Sequence, residues 1–248
     1  MGVNLDFARG KMPLVMTASL SLVSKSHTLR CDAKQAETRF AVFDKFISSV
    51  EHFYLGDHLP KPFIKGAQPK YLETLEPGGV PVINTLSIQQ LSIRIEQCRF
   101  IAQEDFDVIE DERKPKPNDV LLTVDGGTSI GKPVLFDLEG DYAIDSHVAI
   151  LRPAELDPRL LVYLLASPLG QVQFQQAESG ASGQTGVTEE DIRRFRFPLI
   201  NEDDAKQVLS EIERKRAELA QLAATLREKE EEVWNGFNQA ITSKAKHR

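Results

Sequence analysis

Residues 203–238 contain no proline, and no glycine before Gly236. Within them Ile212, Leu219, Leu226 and Val233 recur at every seventh position. Leu222 fills one intervening apolar position, while Lys215 and Lys229 occupy two others. The remainder is rich in Glu, Lys, Arg, Ala and Gln, which all favour helix. This pattern demands a long amphipathic helix, about 34 residues and roughly 50 Å at ~1.5 Å per residue. The sustained seven-residue spacing suits an imperfect coiled coil with a partner helix. A helix lying on its own domain, with Leu219 and Leu226 as ordinary core, is the alternative. We expect the helical segment over 201–240 and a flexible tail over 241–248.

The sequence before it has a different texture. Ala36, Phe40, Phe43, Ile47 and Val50 fall on one stripe, so a helix is expected within 31–50. From about Phe53 to Pro198, short β-branched runs alternate with turn-rich stretches. The expected strands are VPVIN (80–84), SIRIEQCRFI (92–101), DVLLTVD (119–125), PVLFDL (133–138) and HVAILRP (147–153). Asp157-Pro158 reads as the cap and first position of a helix carrying RLLVYLLAS. The fold class expected is α+β: a curled mixed or antiparallel sheet with peripheral helices, then the long C-terminal helix. No βαβα alternation suggests a dinucleotide-binding domain.

Residues 1–50 carry a net charge of +3, residues 51–200 carry −9 and residues 201–248 carry −1. The total of −7 argues against a protein that grips nucleic acid by bulk charge, though not against a local basic face. Cys31 and Cys98 stand alone, and read as reduced thiols of a cytosolic protein. No run approaches the ~20 apolar residues of a membrane span. MPLVMTASLSLV (12–23) is the most signal-like piece, but it is short and broken by Thr17, Ser19 and Ser21. We read residues 1–28 as an N-terminal arm.

Candidate catalytic motifs do not hold up. Gly126-x4-Gly131-Lys132 has most of a phosphate-binding loop, but Pro133 stands where a Ser or Thr would hold magnesium. A glycine-rich turn between two strands is expected instead. Asp145, Ser146 and His147 are adjacent in sequence, whereas catalytic triads assemble in space. A hydrolase using these three is the enzymatic alternative, requiring their side chains to converge in a cleft. No metal-ligand spacing and no cofactor motif is found, so neither group is expected. SGASGQTGV (179–187) places glycines and small polar residues just before Thr188, which can cap TEEDI with Asp191 at capping-box spacing. A short strand stopped by Pro198 follows.

Several stretches in this order resemble the specificity (S) subunits of type I restriction–modification systems. They are LRCDAKQ (29–35), YLGDHLPKPFIKGAQPKY (54–71), GGVPVINTLSI (78–88) and NDVLLTVDGGTSIGKPVLF (118–136). SHVAILRP (146–153), YLLASPLGQ (163–171), SGQTGVTEEDIRRFRFPLI (182–200) and the long helix complete the series. The resemblance implies one target recognition domain over 29–200, followed by a spacer helix. S subunits usually have two of each. This chain departs from the pattern in having one, and in LINEDDAKQ after Phe197-Pro198.

The resemblance further implies a non-catalytic subunit that reads part of a double-stranded DNA target. Partners would be methyltransferase (modification) subunits, restriction subunits, and a second copy or another S half. Side chains expected at the DNA are Lys65, Gln68 and Lys70; Asn84, Thr85, Ser87 and Gln89; Thr128, Ser129 and Lys132; and Ser182, Gln184 and Thr185. Arg194 and Arg196 are expected on one strand face, as a phosphate strip or a guard on a sheet edge. Ile212, Leu219, Leu222, Leu226 and Val233 are the residues expected to meet a partner helix. A pure protein-interaction adaptor with the same fold is the other non-enzymatic reading.

Overall fold

The structure is a computed structural model and describes residues 37–72, 79–89, 91–178 and 185–244. The chain divides into two compact units, one ending at Leu199 and one beginning at Ile200.

In the first unit, α1 (Thr38–Ile47) buries Phe40, Phe43 and Ile47, as the stripe predicts. Val50 lies beyond the helix and is exposed, and Ala36 falls outside the described residues. The main sheet joins β2 (Ile64–Lys65), β10 (Val148–Leu151), β7 (Val120–Thr123) and β8 (Pro133–Leu135) in that order, with antiparallel pairings. Every residue of β7 and β10 is buried. Alternation along a strand explains how a continuous apolar run serves two cores. Val120, Leu122, Ala149 and Leu151 face one cluster, and Leu121, Val148 and Ile150 face the other.

The first cluster is roofed by α3 (Pro158–Ala166) and α4 (Pro168–Ala177), through Leu161, Leu165 and Phe174. Asp157 caps α3, its carboxylate accepting from the Arg159 backbone N–H at 2.8 Å, with Pro158 at the first helical position. The second cluster is covered by residues of β3 (Val80–Ile83) and β9 (Ala143–Ile144), which pair in parallel, and of the β4–β5 hairpin (Ile88–Gln89, Ser92–Ile93). β6 (Arg99–Ile101) pairs antiparallel with β3, completing a three-stranded sheet. The single strand expected over 92–101 is therefore two short strands. A 3-10 turn at Ile95–Gln97 separates them, and the two halves join different sheets.

α2 (Gln103–Asp107) follows β6. α5 (Glu189–Arg193) begins with the expected capping box: Thr188 Oγ1 accepts from the Asp191 N–H, and the Asp191 carboxylate accepts from the Thr188 N–H. β11 (Arg196–Pro198) pairs antiparallel with β1 (His52–Tyr54), closing the unit.

The second unit is α6 (Glu202–Lys244), 43 residues and about 65 Å long. Asn201 caps it, its side-chain oxygen accepting from the Asp204 N–H at 2.8 Å. The helix continues through Ile241–Lys244, four residues into the stretch expected to be a flexible tail. Surface pairs such as Glu202–Lys206 and Glu211–Lys215 bridge successive turns. Among the described residues no helix is long and apolar enough to cross a membrane. The architecture is α+β with open sheets, as the sequence predicts.

Candidate nucleic-acid interface

The loops expected to carry polar readers converge at one end of the main sheet. Gly66, just past β2, donates its N–H to the Val148 carbonyl, and Ala67 bridges to Asp145. A Cβ at Gly66 would lie 2.1 Å from the Ile144 carbonyl oxygen and 2.3 Å from that of Asp145. Only glycine permits this approach, so the Lys-Gly turn is locked against the β9–β10 connection. The Asp145 N–H reaches the Ile83 carbonyl, and the Val124 N–H reaches the His147 carbonyl. On the far side, Asp125 bridges to Gly186, and the Gly126 N–H donates to the Thr185 carbonyl. Thus segments near residues 66, 84, 125, 146 and 186 are tied together by main-chain bonds.

Residues 126–132 form the expected turn. Gly126, Gly127 and Gly131 have φ of 110°, 57° and 80°, values that L side chains rarely adopt. A 3-10 turn spans Gly127–Ser129 and therefore contains Thr128. β8 starts at Pro133, so no helix begins at Lys132 to complete a phosphate loop. Buried Thr123 organises the turn: its Oγ1 donates to the Ser129 carbonyl and accepts from the Lys132 N–H.

The predicted readers divide into groups. Lys70 is exposed, and Thr85, Gln89, Ser129 and Lys132 are half-buried. Gln89 donates to the Leu86 carbonyl, and Gln68 accepts from Ser146 Oγ at 3.0 Å. Lys65 pairs with Asp125, Nζ to Oδ2 at 2.5 Å. Asn84 and Ser87 do not project as expected. Asn84 is 6% exposed, and its side-chain oxygen accepts from the N–H groups of Leu86 and Ser87. Ser87 is fully buried, its hydroxyl bonded to both the N–H and the carbonyl of Asn84. The Asn-x-x-Ser spacing builds a turn, which is the commoner use of these side chains. Ser182 and Gln184 lie outside the described residues. Thr185 is half-buried, and its hydroxyl oxygen has no partner.

Arg194 and Arg196 do not share a strand face. Arg194 ends α5, is exposed and pairs with Glu190 at 2.6 Å. Arg196 opens β11, its guanidinium 2.5 Å from Asp44 Oδ1 and above the Phe43 ring. Arg193 donates to the carbonyls of Gly56, Leu59 and Lys61 and pairs with Glu189. The expected strip is thus absent: Arg194 and Arg196 have separate attachments, and Arg196, like the neighbouring Arg193, braces the fold. The strand reading failed because α5 runs on to Arg193 with Arg194 as its C-cap, so the strand begins only at Arg196.

The hydrolase alternative requires Ser146 and His147 to meet. Instead the Ser146 hydroxyl donates to Gln68, and the three residues form a tight turn in which Asp145 Oδ1 accepts from the His147 N–H at 2.8 Å. The His147 ring is exposed, with Nδ1 3.7 Å from that oxygen. Burial pushes the Asp145 carboxyl up, against the hydrogen bonds from His147. Among the described residues no group of three or more His, Cys, Asp or Glu is arranged to hold a metal ion.

Sequence reasoning missed Asp125, Gly66 and Gly186, whose roles depend on contacts between segments far apart in the chain. The signal for Asp125 was its place between a continuous apolar strand and Gly126-Gly127.

On α6 the expected partner residues are open: Leu219, Leu222, Leu226 and Val233 are 60–68% exposed, while Ile212 is half-buried. Trp234, Phe237 and Ile241, absent from the heptad reading, extend the exposed apolar surface toward the C-terminal end.

No protein-family model and no curated protein matches the sequence. Solved structures do match. One, concerning complex assembly and conformational transition of the type I R-M system, aligns at a TM-score of 0.55 and 19% identity, covering 90% of this chain and 55% of the other. The HsdS subunit from Thermoanaerobacter tengcongensis aligns at a TM-score of 0.50 and 16% identity, covering 83% of this chain and 50% of the other. This chain thus spans about half the length of the structures it matches. Its α+β domain and long following helix have the fold of a type I restriction–modification specificity subunit.

Proposed function

We propose that the chain is a DNA specificity subunit of a type I restriction–modification system, reading one half-site through its α+β domain. The observation that carries this reading is the likeness to the HsdS fold over 83% of the chain, with the predicted polar loops gathered at one end of its main sheet. Loops on a rigid sheet can present Lys and Gln side chains to base edges in a major groove. Lys65, Gln68, Lys70, Thr85, Gln89, Thr128, Ser129, Lys132, Ser182, Gln184 and Thr185 are the readers in this account. Arg194 is suited to a phosphate contact, since its pairing with Glu190 is exposed and weak.

The chain carries out no reaction of its own in this proposal; partner modification subunits transfer the methyl group. α6 docks those subunits and pairs antiparallel with a second copy, or with another S half. Two recognition domains joined in this way would supply the two half-sites of one target. With a net charge of −7, the isolated chain binds DNA weakly and with steep salt dependence, most of the phosphate grip coming from its partners. Co-expression with a type I modification subunit, followed by affinity purification, tests the reading. The full chain is expected to co-purify with that subunit, and a chain ending at Leu199 is expected to lose both it and self-association. Retention of both by the truncated chain would overturn the role given to the helix.

A further inference from the structure

The Lys65–Asp125 pair places a hydrogen-bond donor and an acceptor side by side at the loop end of the main sheet. Its atoms are 2.5 Å apart, and the two side chains keep 39% and 33% exposure, so both reach solvent. Each is anchored from behind. Lys65 pairs with Ala149 across β2 and β10, and its carbonyl accepts from Arg113 Nη1 at 2.9 Å. Asp125 is bridged to Gly186, and the neighbouring Val187 N–H donates to the Val124 carbonyl. A Cβ at Gly186 would lie 2.3 Å from Asp125 Oδ1, so glycine there leaves room for the carboxylate in this position.

We infer that Lys65 and Asp125 together read one G·C base pair, Lys65 donating to guanine and Asp125 accepting from cytosine. The inference rests on the DNA-reading function proposed above. In the major groove, guanine presents N7 and O6 as adjacent acceptors, and its partner cytosine presents the N4 amino group as a donor. An ammonium beside a carboxylate matches that order. An A·T pair offers a donor between single acceptors, and then a methyl group, leaving the ammonium fewer acceptors. A lone carboxylate would be repelled by the phosphates. Here the adjacent lysine offsets its charge, which makes an acidic side chain tolerable at the groove.

The test uses the full chain in complex with the modification subunit that co-purifies with it, and selection from a duplex library with a randomised window. Variants are Lys65→Met, Asp125→Ala, Lys65→Arg and Gly186→Ala, each checked for a native far-UV circular dichroism spectrum. We expect a motif in which one G·C position loses about tenfold or more of its preference in Lys65→Met and in Asp125→Ala, the other positions holding. Lys65→Arg keeps the guanine preference. Gly186→Ala displaces the carboxylate and mimics Asp125→Ala. Uniform weakening across all sequences would mean a phosphate contact or a brace, and overturns the inference, as does an unchanged motif or relaxation at an A·T position. A wild-type complex that selects no motif overturns the DNA-reading function itself, and this inference with it.

Discussion

Replacing Leu222 and Leu226 together by glutamine tests whether the open face of α6 is a contact surface. The two side chains are 66% and 60% exposed in the single chain. Fully burying a leucine side chain stabilises by about 1.5–3 kcal/mol, so covering the exposed part contributes about 1–2 kcal/mol each. A symmetric pair of helices buries four such side chains, and the double substitution should therefore cost the dimer about 4–8 kcal/mol. At ~1.4 kcal/mol per tenfold, the dissociation constant rises about a thousandfold or more. Glutamine is a good helix former, so α6 itself should keep its helical signal. Sedimentation equilibrium across a concentration series measures the shift. A dissociation constant unchanged within tenfold, or a wild-type chain that stays monomeric at high concentration, would refute the assignment of this face.

Two further substitutions probe the scaffold that holds the loops. Asp119 is buried and receives two bonds from Arg152, each 2.9 Å, plus the Lys116 N–H, while Arg152 also ties down the carbonyls of Glu112 and Lys114. Asp119→Ala strands a guanidinium that is three-quarters buried, so urea unfolding of the domain should show a loss of about 2–4 kcal/mol; an unchanged midpoint would mean the pair is ornamental. The Asp145 carboxyl is raised by burial, so folding favours its protonated form. Its contribution is greatest below the ordinary carboxylate range and declines as pH rises through the folded-state value. Asp145→Asn keeps the acceptor for the His147 N–H and should be at least as stable as wild type near neutral pH, with a flatter dependence of melting temperature on acid pH. A strongly destabilised Asn variant would show that the negative charge itself is required.

Local patterns carried a good part of this fold. Period-seven and period-four apolar spacing located α6 and α1, since a helix buries what recurs on one side of it. Asp157-Pro158 and Thr188…Asp191 announced two helix starts because capping is local chemistry. Ser167-Pro168 gives the same signal for α4, its hydroxyl accepting from the Gly170 N–H, but the glycine and glutamines that follow weaken the apolar pattern. The run 92–101 misled because both of its halves are β-formers and the break comes from pairing with different sheets. At the loop cluster, residue type located the polar segments without telling readers from braces. Asn84 and Lys65 look equally suited to a base edge in sequence. The folded geometry shows that Asn84 is spent on its own local turn, whereas Lys65 joins a solvent-facing pair with a residue distant in the chain.

In the proposed function this chain specifies a DNA sequence for a partner that modifies it. Mapping modified bases genome-wide in cells expressing the full chain with its modification subunit tests that directly. One discrete motif is expected, and it should disappear when the chain is omitted. Modification that is absent, scattered without a motif, or unchanged without the chain would contradict it.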